Sequence, residues 1–167
     1  MALHMIGLGM HDEKDITLKG LESVQKCDYV YLEIYTSLLD SSLEKLEKLY
    51  GKKIIIADRS MVESEDNKIL EKAKDHDVAF LVKGDIFGAT THMDLVLRSQ
   101  KMGIKLYYIF NASVLTVVGA IGLELYKFGK TTSIPFGNEH VRAPIEIFEK
   151  NYENNMHTLF LLDLNPQ

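Results

Sequence analysis

The sequence predicts an α/β protein built on an open, mostly parallel sheet flanked by helices, followed by the start of a second, incomplete α/β domain. Three observations carry this expectation. Apolar runs of strand length alternate with amphipathic runs through most of the 167 residues, which is the pattern of repeated strand–helix units. Residues 53–57 and 78–82 carry near-continuous apolar runs, as strands covered on both faces are. Successive strands also break abruptly into glycine, asparagine and small hydroxyl residues, the chemistry of loops at the carboxyl edge of such a sheet.

Taken in order, residues 3–10 read as a first strand that ends in a Gly-x-Gly turn, and residues 11–15 as a polar loop. Thr17 caps a helix that runs to Lys26, with Leu18, Leu21 and Val24 on one face. Residues 28–35 are aromatic and β-branched, a second strand. Ser41 or Ser42 begins a short helix carrying Leu43, Leu46 and Leu49. Glu44 and Lys48 form a favourable i,i+4 pair on it, and Gly51 stops it. Residues 53–57 form a third strand, Asp66 or Asn67 caps a helix running to Asp75, and residues 78–82 form a fourth strand. A helix over 93–102 ends at Gly103, and the fifth strand, 104–110, breaks at Asn111-Ala112-Ser113.

Residues 114–128 are so apolar that they are expected to form a buried helix, in the core or in a subunit interface. Gly119 and Gly122 would allow close contact there at a cost in helix propensity. A short strand over 131–134 stops at Pro135. A helix over 143–155 has Pro144 where an early proline is tolerated, and 157–164 is a last strand. The alternation is complete before residues 130–135. The expected division is therefore a first domain over 1–130 and the beginning of a second over 131–167.

Apolar residues make up 46% of the chain, enough for a real core, and the net charge of -5 argues against a protein that binds nucleic acid by neutralising phosphates. The one cysteine, Cys27, cannot form an internal disulfide, which fits a reducing compartment. It lies at the end of a predicted helix, where the dipole disfavours a thiolate, so a structural role is expected. No signal peptide and no apolar window of about 18 residues is present, so a soluble, cytoplasmic protein is expected.

Gly7-Leu8-Gly9 invites a dinucleotide reading, but that fingerprint needs a third glycine where Asp12 stands, and Asp12, Glu13 and Asp15 would repel a pyrophosphate. The same acids could hold a hard cation, although a solvated loop accounts for them better. There is no P-loop and no Gly-x-Ser-x-Gly elbow. His4, His11, His76, His92, His140 and His157 form no H-x-x-x-H pair, so no metal site is expected.

What remains is a set of strand ends. The run Gly84-Asp85-Ile86-Phe87-Gly88-Ala89-Thr90-Thr91-His92 follows a buried strand and precedes a helix. It is either a turn capped by Thr90 or Thr91, or a ligand loop. Met10 ends the first strand, Asp85 and Gly88 follow the fourth, Ser113 and Val114 follow the fifth, and Leu162 lies in the last. In a parallel sheet these ends share one edge and can converge on one crevice. An acid, small residues and apolar walls suit a ligand with an adenine, a ribose and an amino-acid tail.

With those ends assembled, the chain resembles the diphthine synthases, a branch of the tetrapyrrole methylase superfamily. The resemblance rests on Met5-Ile6-Gly7-Leu8-Gly9, on Asp12 to Thr17 with Lys19-Gly20-Leu21-Glu22, and on Glu33-Ile34-Tyr35-Thr36-Ser37-Leu38. It continues in Gly84-Asp85 with Ala89-Thr90-Thr91-His92, in Asn111-Ala112-Ser113, in Leu125-Tyr126-Lys127-Phe128-Gly129-Lys130, and in His157-Thr158-Leu159 with Leu162-Asp163. It implies an N-terminal domain that binds S-adenosylmethionine, releases S-adenosylhomocysteine and uses no metal. It further implies methylation of the modified histidine of translation elongation factor 2 in diphthamide biosynthesis, by a cytoplasmic homodimer. The implied cofactor contacts are Met10, Asp85, Gly88, Ser113, Val114 and Leu162, and no catalytic residue is assigned. Two departures stand out: Ile86 replaces the proline usual in the central loop, and Met10 replaces a common leucine. A second domain that closes over the cofactor is also implied, and here it is only begun. Methylation of a small tetrapyrrole and a non-catalytic dimerisation or binding module are the competing readings.

Overall fold

A computed structural model describes residues 1–64, 67–89, 92–137 and 140–164. The expectations placed on Asp66, Thr90 and Thr91 lie outside the described residues. The chain divides into two compact units, Met1–Val114 and Leu115–Gln167.

The first unit carries β1 (Ala2–Gly7), α1 (Leu18–Lys26), β2 (Tyr29–Glu33), α2 (Leu43–Tyr50), β3 (Ile55–Ala57), α3 (Arg59–Glu63), α4 (Lys68–Asp75), β4 (Asp77–Val82), α5 (Met93–Lys101) and β5 (Lys105–Ile109). Its sheet has the order β3-β2-β4-β1-β5, and every neighbouring pair is parallel. The two central strands show why. On β4, Val78, Phe80 and Val82 enter one apolar cluster while Ala79 and Leu81 enter another. On β1, Leu3 and Met5 face the first cluster and Ile6 faces the second. Both faces of the pleat are therefore buried, which is what a near-continuous apolar run encodes. Each fully buried large side chain there contributes about 1.5–3 kcal/mol.

The helix caps follow the local sequence. Gly20 N donates to the Thr17 hydroxyl at 3.0 Å, and Ile69 N and Leu70 N donate to Asn67 Oδ1 at 3.0 and 3.1 Å. Gly51, with φ of 67°, ends α2 in the left-handed region.

Four expectations change. Leu18 is 82% exposed, because α1 turns Gly20 and Val24 inward instead. The third strand is not covered on both faces: β3 is a sheet edge, with Ile55 and Ile56 exposed. An additional helix, α3, starts at the Asp58 cap, where Met61 N donates to Asp58 Oδ1. The expected helix over 114–128 is absent. Two short 3-10 turns, Val118–Ile121 and Leu125–Lys127, stand in its place, and Ile121 and Tyr126 are 71% and 94% exposed. Gly122 ends the first turn at φ of 85°, a conformation that no helix continues through. Apolar composition without a sustained 3.6-residue period does not specify a helix.

The second unit holds β6 (Thr132–Ile134), α6 (Ala143–Glu153) and β7 (Phe160–Leu162), with the two strands paired parallel across the helical connection. Pro144 lies in the first turn of α6. Among the described residues, no helix is long and apolar enough to cross a membrane.

Candidate functional site

At the carboxyl edge of the first sheet, β1 and β4 leave their ladder and cross. Leu8 N still donates to Val82 O, and Gly9 and Gly84 then pair antiparallel, with Gly84 N donating to Gly9 O at 2.7 Å and Gly9 N to Gly84 O at 3.2 Å. Gly9 and Gly84 have φ of 81° and 79°, which side-chain-bearing residues rarely adopt. The crossing is also close. A Cβ on Gly7 would lie 2.6 Å from Gly84 O and 2.9 Å from Asn111 Cβ.

Asn111, directly after β5, ties three segments together. Its Nδ2 donates to Gly7 O at 3.1 Å and to Asp15 O at 3.0 Å, and its Oδ1 accepts from Ala112 N at 2.8 Å. Its own backbone N donates to Asp85 Oδ2 at 3.0 Å, while Asp85 Oδ1 accepts from Phe87 N at 2.9 Å. Asp85 therefore holds its own loop and clamps it to the end of β5. Each of its oxygens retains lone-pair capacity for a further donor. Asp15 plays the matching part on the other side: its Oδ2 accepts from Met10 N at 3.1 Å and His11 N at 2.8 Å.

These contacts bring four of the sequence-derived residues together. A Cβ placed on Gly84 would meet Met10 Sδ at 3.7 Å, Ala112 O at 3.7 Å and Ser113 Cα at 3.8 Å, so the three segments form a cradle around it. A Cβ on Gly88 would lie 2.5 Å from Ser113 Cβ, so only glycine permits this approach. Ser113 is buried, and half-buried Val114 follows it. Ile86, at the position of the usual proline, is fully buried in the first apolar cluster. Ala89 sits at φ of 62°, a strained conformation of the kind that concentrates at binding loops. Leu162 lies on β7, in the second unit, and is 72% exposed.

The residues that sequence reasoning left out of the site are Asn111 and Asp15. Their signal was an amide straight after a strand and an acid placed to cap the preceding turn. Two acids of the loop are spent on its own backbone, since Lys14 N donates to Asp12 Oδ1 and Asp15 binds two amides, while Glu13 accepts from the Ser41 hydroxyl. Among the described residues, no three His, Cys, Asp or Glu side chains converge as metal ligands. Cys27 is fully buried; burial pushes its thiol up to about 12, with Asp77 and Asp28 reinforcing and Lys52 opposing. It is no nucleophile at neutral pH.

The profile of the Tetrapyrrole (Corrin/Porphyrin) Methylases matches residues 2–163. The diphthine methyl ester synthase of Homo sapiens is 55% identical over 165 residues, covering 97% of this chain and 58% of that protein. The diphthine methyl ester synthase of Schizosaccharomyces pombe is 52% identical over 164 residues, covering 96% and 58%. A crystal structure of diphthine synthase superposes with a TM-score of 0.93 at 39% identity, covering 100% of this chain and 66% of that one. The chain thus spans about 58% of the length of the curated relatives it matches. It belongs to the tetrapyrrole methylase family.

Proposed function

We propose that this member of the tetrapyrrole methylase family binds S-adenosylmethionine at the carboxyl edge of its first unit and acts, in the whole protein, as a diphthine synthase. In that reading it methylates the modified histidine of translation elongation factor 2 during diphthamide biosynthesis. The observation that carries the reading is the cradle of Met10, Gly84 and Ser113, closed by Asp85 and Gly88, in a chain 55% identical to a diphthine methyl ester synthase.

The residues fit the cofactor. The thioether of Met10 and the wall at Val114 suit an adenine. Asp85 has lone pairs left for hydroxyl or ammonium donors, and Gly88 and Ser113 let backbone approach closely. Leu162 is proposed as a further cofactor contact on the family resemblance alone. The bound sulfonium supplies the electrophilic methyl, so the chain's task is to orient it and to keep water out. The Gly9–Gly84 crossing and the Asn111 bonds serve orientation, because they set the backbone on either side of the cradle before any ligand arrives. No metal is assigned a part, and the proton released by the substrate amine is assigned to no side chain. The protein is proposed to work in the cytoplasm as a homodimer.

Calorimetric titration with S-adenosylmethionine tests the first step. A second assay offers labelled cofactor with elongation factor 2 carrying the unmethylated side chain, and separately with a porphyrinogen. Label on the elongation factor is expected. Label on the porphyrinogen alone would make the protein a small-tetrapyrrole methylase, and no binding at all would leave a non-catalytic module.

A further inference from the structure

The cofactor reading fills only part of the carboxyl edge. Its contacts in the first unit follow the ends of β1, β4 and β5. In the sheet, β1 flanks β4 on one side and β2 flanks it on the other, each about 4.8 Å away. The end of β2 is therefore the open side of the cradle. From there the nine residues 34–42 run to the start of α2 at Leu43 without helix or strand. A connection of this kind usually takes about two to six residues, so the fold does not demand this length.

The loop is nonetheless held at three places. At its start, the Glu33 side chain has no exposed surface, and a carboxylate so buried is costly unless it is hydrogen-bonded. Its Oε1 accepts from Tyr35 N at 2.6 Å and Thr36 N at 2.5 Å, and its Oε2 accepts from the Thr36 hydroxyl at 2.6 Å. His92 Nε2 faces the same carboxylate at 3.7 Å. At the tip of the loop, Lys83 Nζ donates to Leu38 O at 2.5 Å and lies 3.4 Å from Asp40 Oδ2. Lys83 directly precedes Gly84 of the cradle. At the end of the loop, the Ser41 hydroxyl donates to Glu13, in the turn that also carries Met10. The second and third holds thus run directly to segments that build the cradle.

Leu39 roots the loop against the second apolar cluster, while Leu38 is left 71% exposed and Ile34 43%. Of the ion pair at the tip, the cation is withdrawn and the acid faces outward: the Lys83 side chain is 12% exposed and that of Asp40 60%. We propose that residues 34–42 are the acceptor side of the site, a preformed rim that receives the polypeptide bearing the substrate amine. Glu33 and Lys83 are its positioning residues, and neither is given a contact with substrate. The inference rests on the cofactor reading above. An outward apolar side chain beside an outward carboxylate suits a peptide with a protonated amine. It suits a porphyrinogen poorly, since that ligand brings several carboxylates of its own toward Asp40.

The test uses the whole chain and purified elongation factor 2 carrying the unmethylated side chain. Cys27 is fully buried, so a cysteine introduced at Leu38 takes a photo-crosslinker selectively. Leu38→Cys labelled in this way is expected to cross-link to the elongation factor. The control Met102→Cys, after α5 at the opposite edge of the sheet, is expected not to. Leu38→Asp should raise KM for the elongation factor about tenfold, more than kcat falls. Lys83→Met should raise it about threefold, because the loop keeps its other two holds. Both should leave the affinity for S-adenosylmethionine, read by calorimetry, unchanged. Leu38 is exposed, so its variants carry little folding risk. No cross-link from Leu38→Cys, an equal one from Met102→Cys, or an unchanged KM in Leu38→Asp would each overturn the rim. A porphyrinogen cross-linked in place of the elongation factor would do the same. So would a loss of S-adenosylmethionine affinity in Leu38→Asp, which would make the loop a wall of the cofactor site. The cross-link needs no cofactor. If the unsubstituted protein binds no S-adenosylmethionine, the cofactor reading fails, while the cross-link still decides the rim.

Discussion

Asn111 and Asn151 do the same job in different surroundings. Each places its side-chain amide on backbone groups of a neighbouring segment, and each has a glycine pressed against it. Asn111 holds Gly7 O, Asp15 O and Ala112 N, with Gly7 and Gly9 in close approach. Asn151, buried on α6, accepts from Lys130 N at 3.1 Å and donates to Lys130 O and the Thr158 hydroxyl, both at 2.9 Å. A Cβ on Gly129 would fall 2.2 Å from its Oδ1. The first amide sits at the edge of a five-stranded sheet with an apolar cluster on each face. The second ties a two-stranded sheet to one helix, in a unit where Phe136, Tyr152 and Leu162 stay exposed. An amide laid over a large core is free to shape a site. The same amide over a small sheet is spent on holding the unit together.

That contrast can be broken at several points. The largest effect is expected from Gly7→Ala, whose new Cβ would strike the Gly84 carbonyl and Asn111 together. Forcing the β1–β4 crossing apart should cost about 3 kcal/mol, read as a lower denaturant midpoint. An unchanged midpoint would mean that the crossing is loose. Next come the two asparagines. Asn111→Ala and Asn151→Ala should each cost about 2 kcal/mol from lost bonds and stranded backbone groups. Only Asn111→Ala should also weaken S-adenosylmethionine beyond the stability loss. Asn151→Ala should instead speed hydrogen exchange at Lys130 and Thr132. Equal effects on cofactor affinity would erase the distinction.

A smaller effect concerns acid. Burial pushes the Glu33 carboxyl up, but the His92 ring, the Thr36 hydroxyl and the Thr36 amide outweigh it and hold the group below its ordinary value of 4.5. A carboxyl whose folded value is depressed contributes stability that is complete above its unfolded value and is lost as pH falls through the folded one. Glu33→Gln should therefore flatten the fall in melting temperature below about pH 4.5, and an acid limb that stays as steep would count against a stabilising role for this carboxylate. The smallest change in stability is expected from Leu162→Ser. At 72% exposure the residue should shift stability by less than about 0.5 kcal/mol. A drop in cofactor affinity in that variant would mark its proposed contact, and no drop would remove Leu162 from the site.

Much of this was legible in the residues themselves. The Thr17 cap, the stop at Gly51 and the two covered faces of β4 are local matters of bonding and period, while at α2 and α4 the residues offered two neighbouring caps each, of which Ser42 and Asn67 serve. So was the convergence of the ends of β1, β4 and β5, which brings Met10, Asp85, Gly88 and Ser113 together, because parallel strands put their carboxyl ends on one edge. Asn111 was legible only as the end of a strand. Its partners Gly7 and Asp15 lie 104 and 96 residues earlier, and no local pattern points to them. The stretch 114–128 misled for the opposite reason: its apolarity was real, but Gly122, in the left-handed region, breaks the chain before a helix can propagate.

The sequence by itself determined most of the strands and helices, and that β4 must be covered on both sides. Those outcomes follow from side-chain period and from capping groups a few residues apart. Tertiary structure alone decided the order β3-β2-β4-β1-β5, which left β3 at an edge despite its apolar run. It also decided the meeting of Glu33 with His92 and of Asp85 with Asn111. The physical reason is common to all of these. Each depends on which strand lies beside which, and that is set by the sum of burial over the whole sheet, not by any one segment.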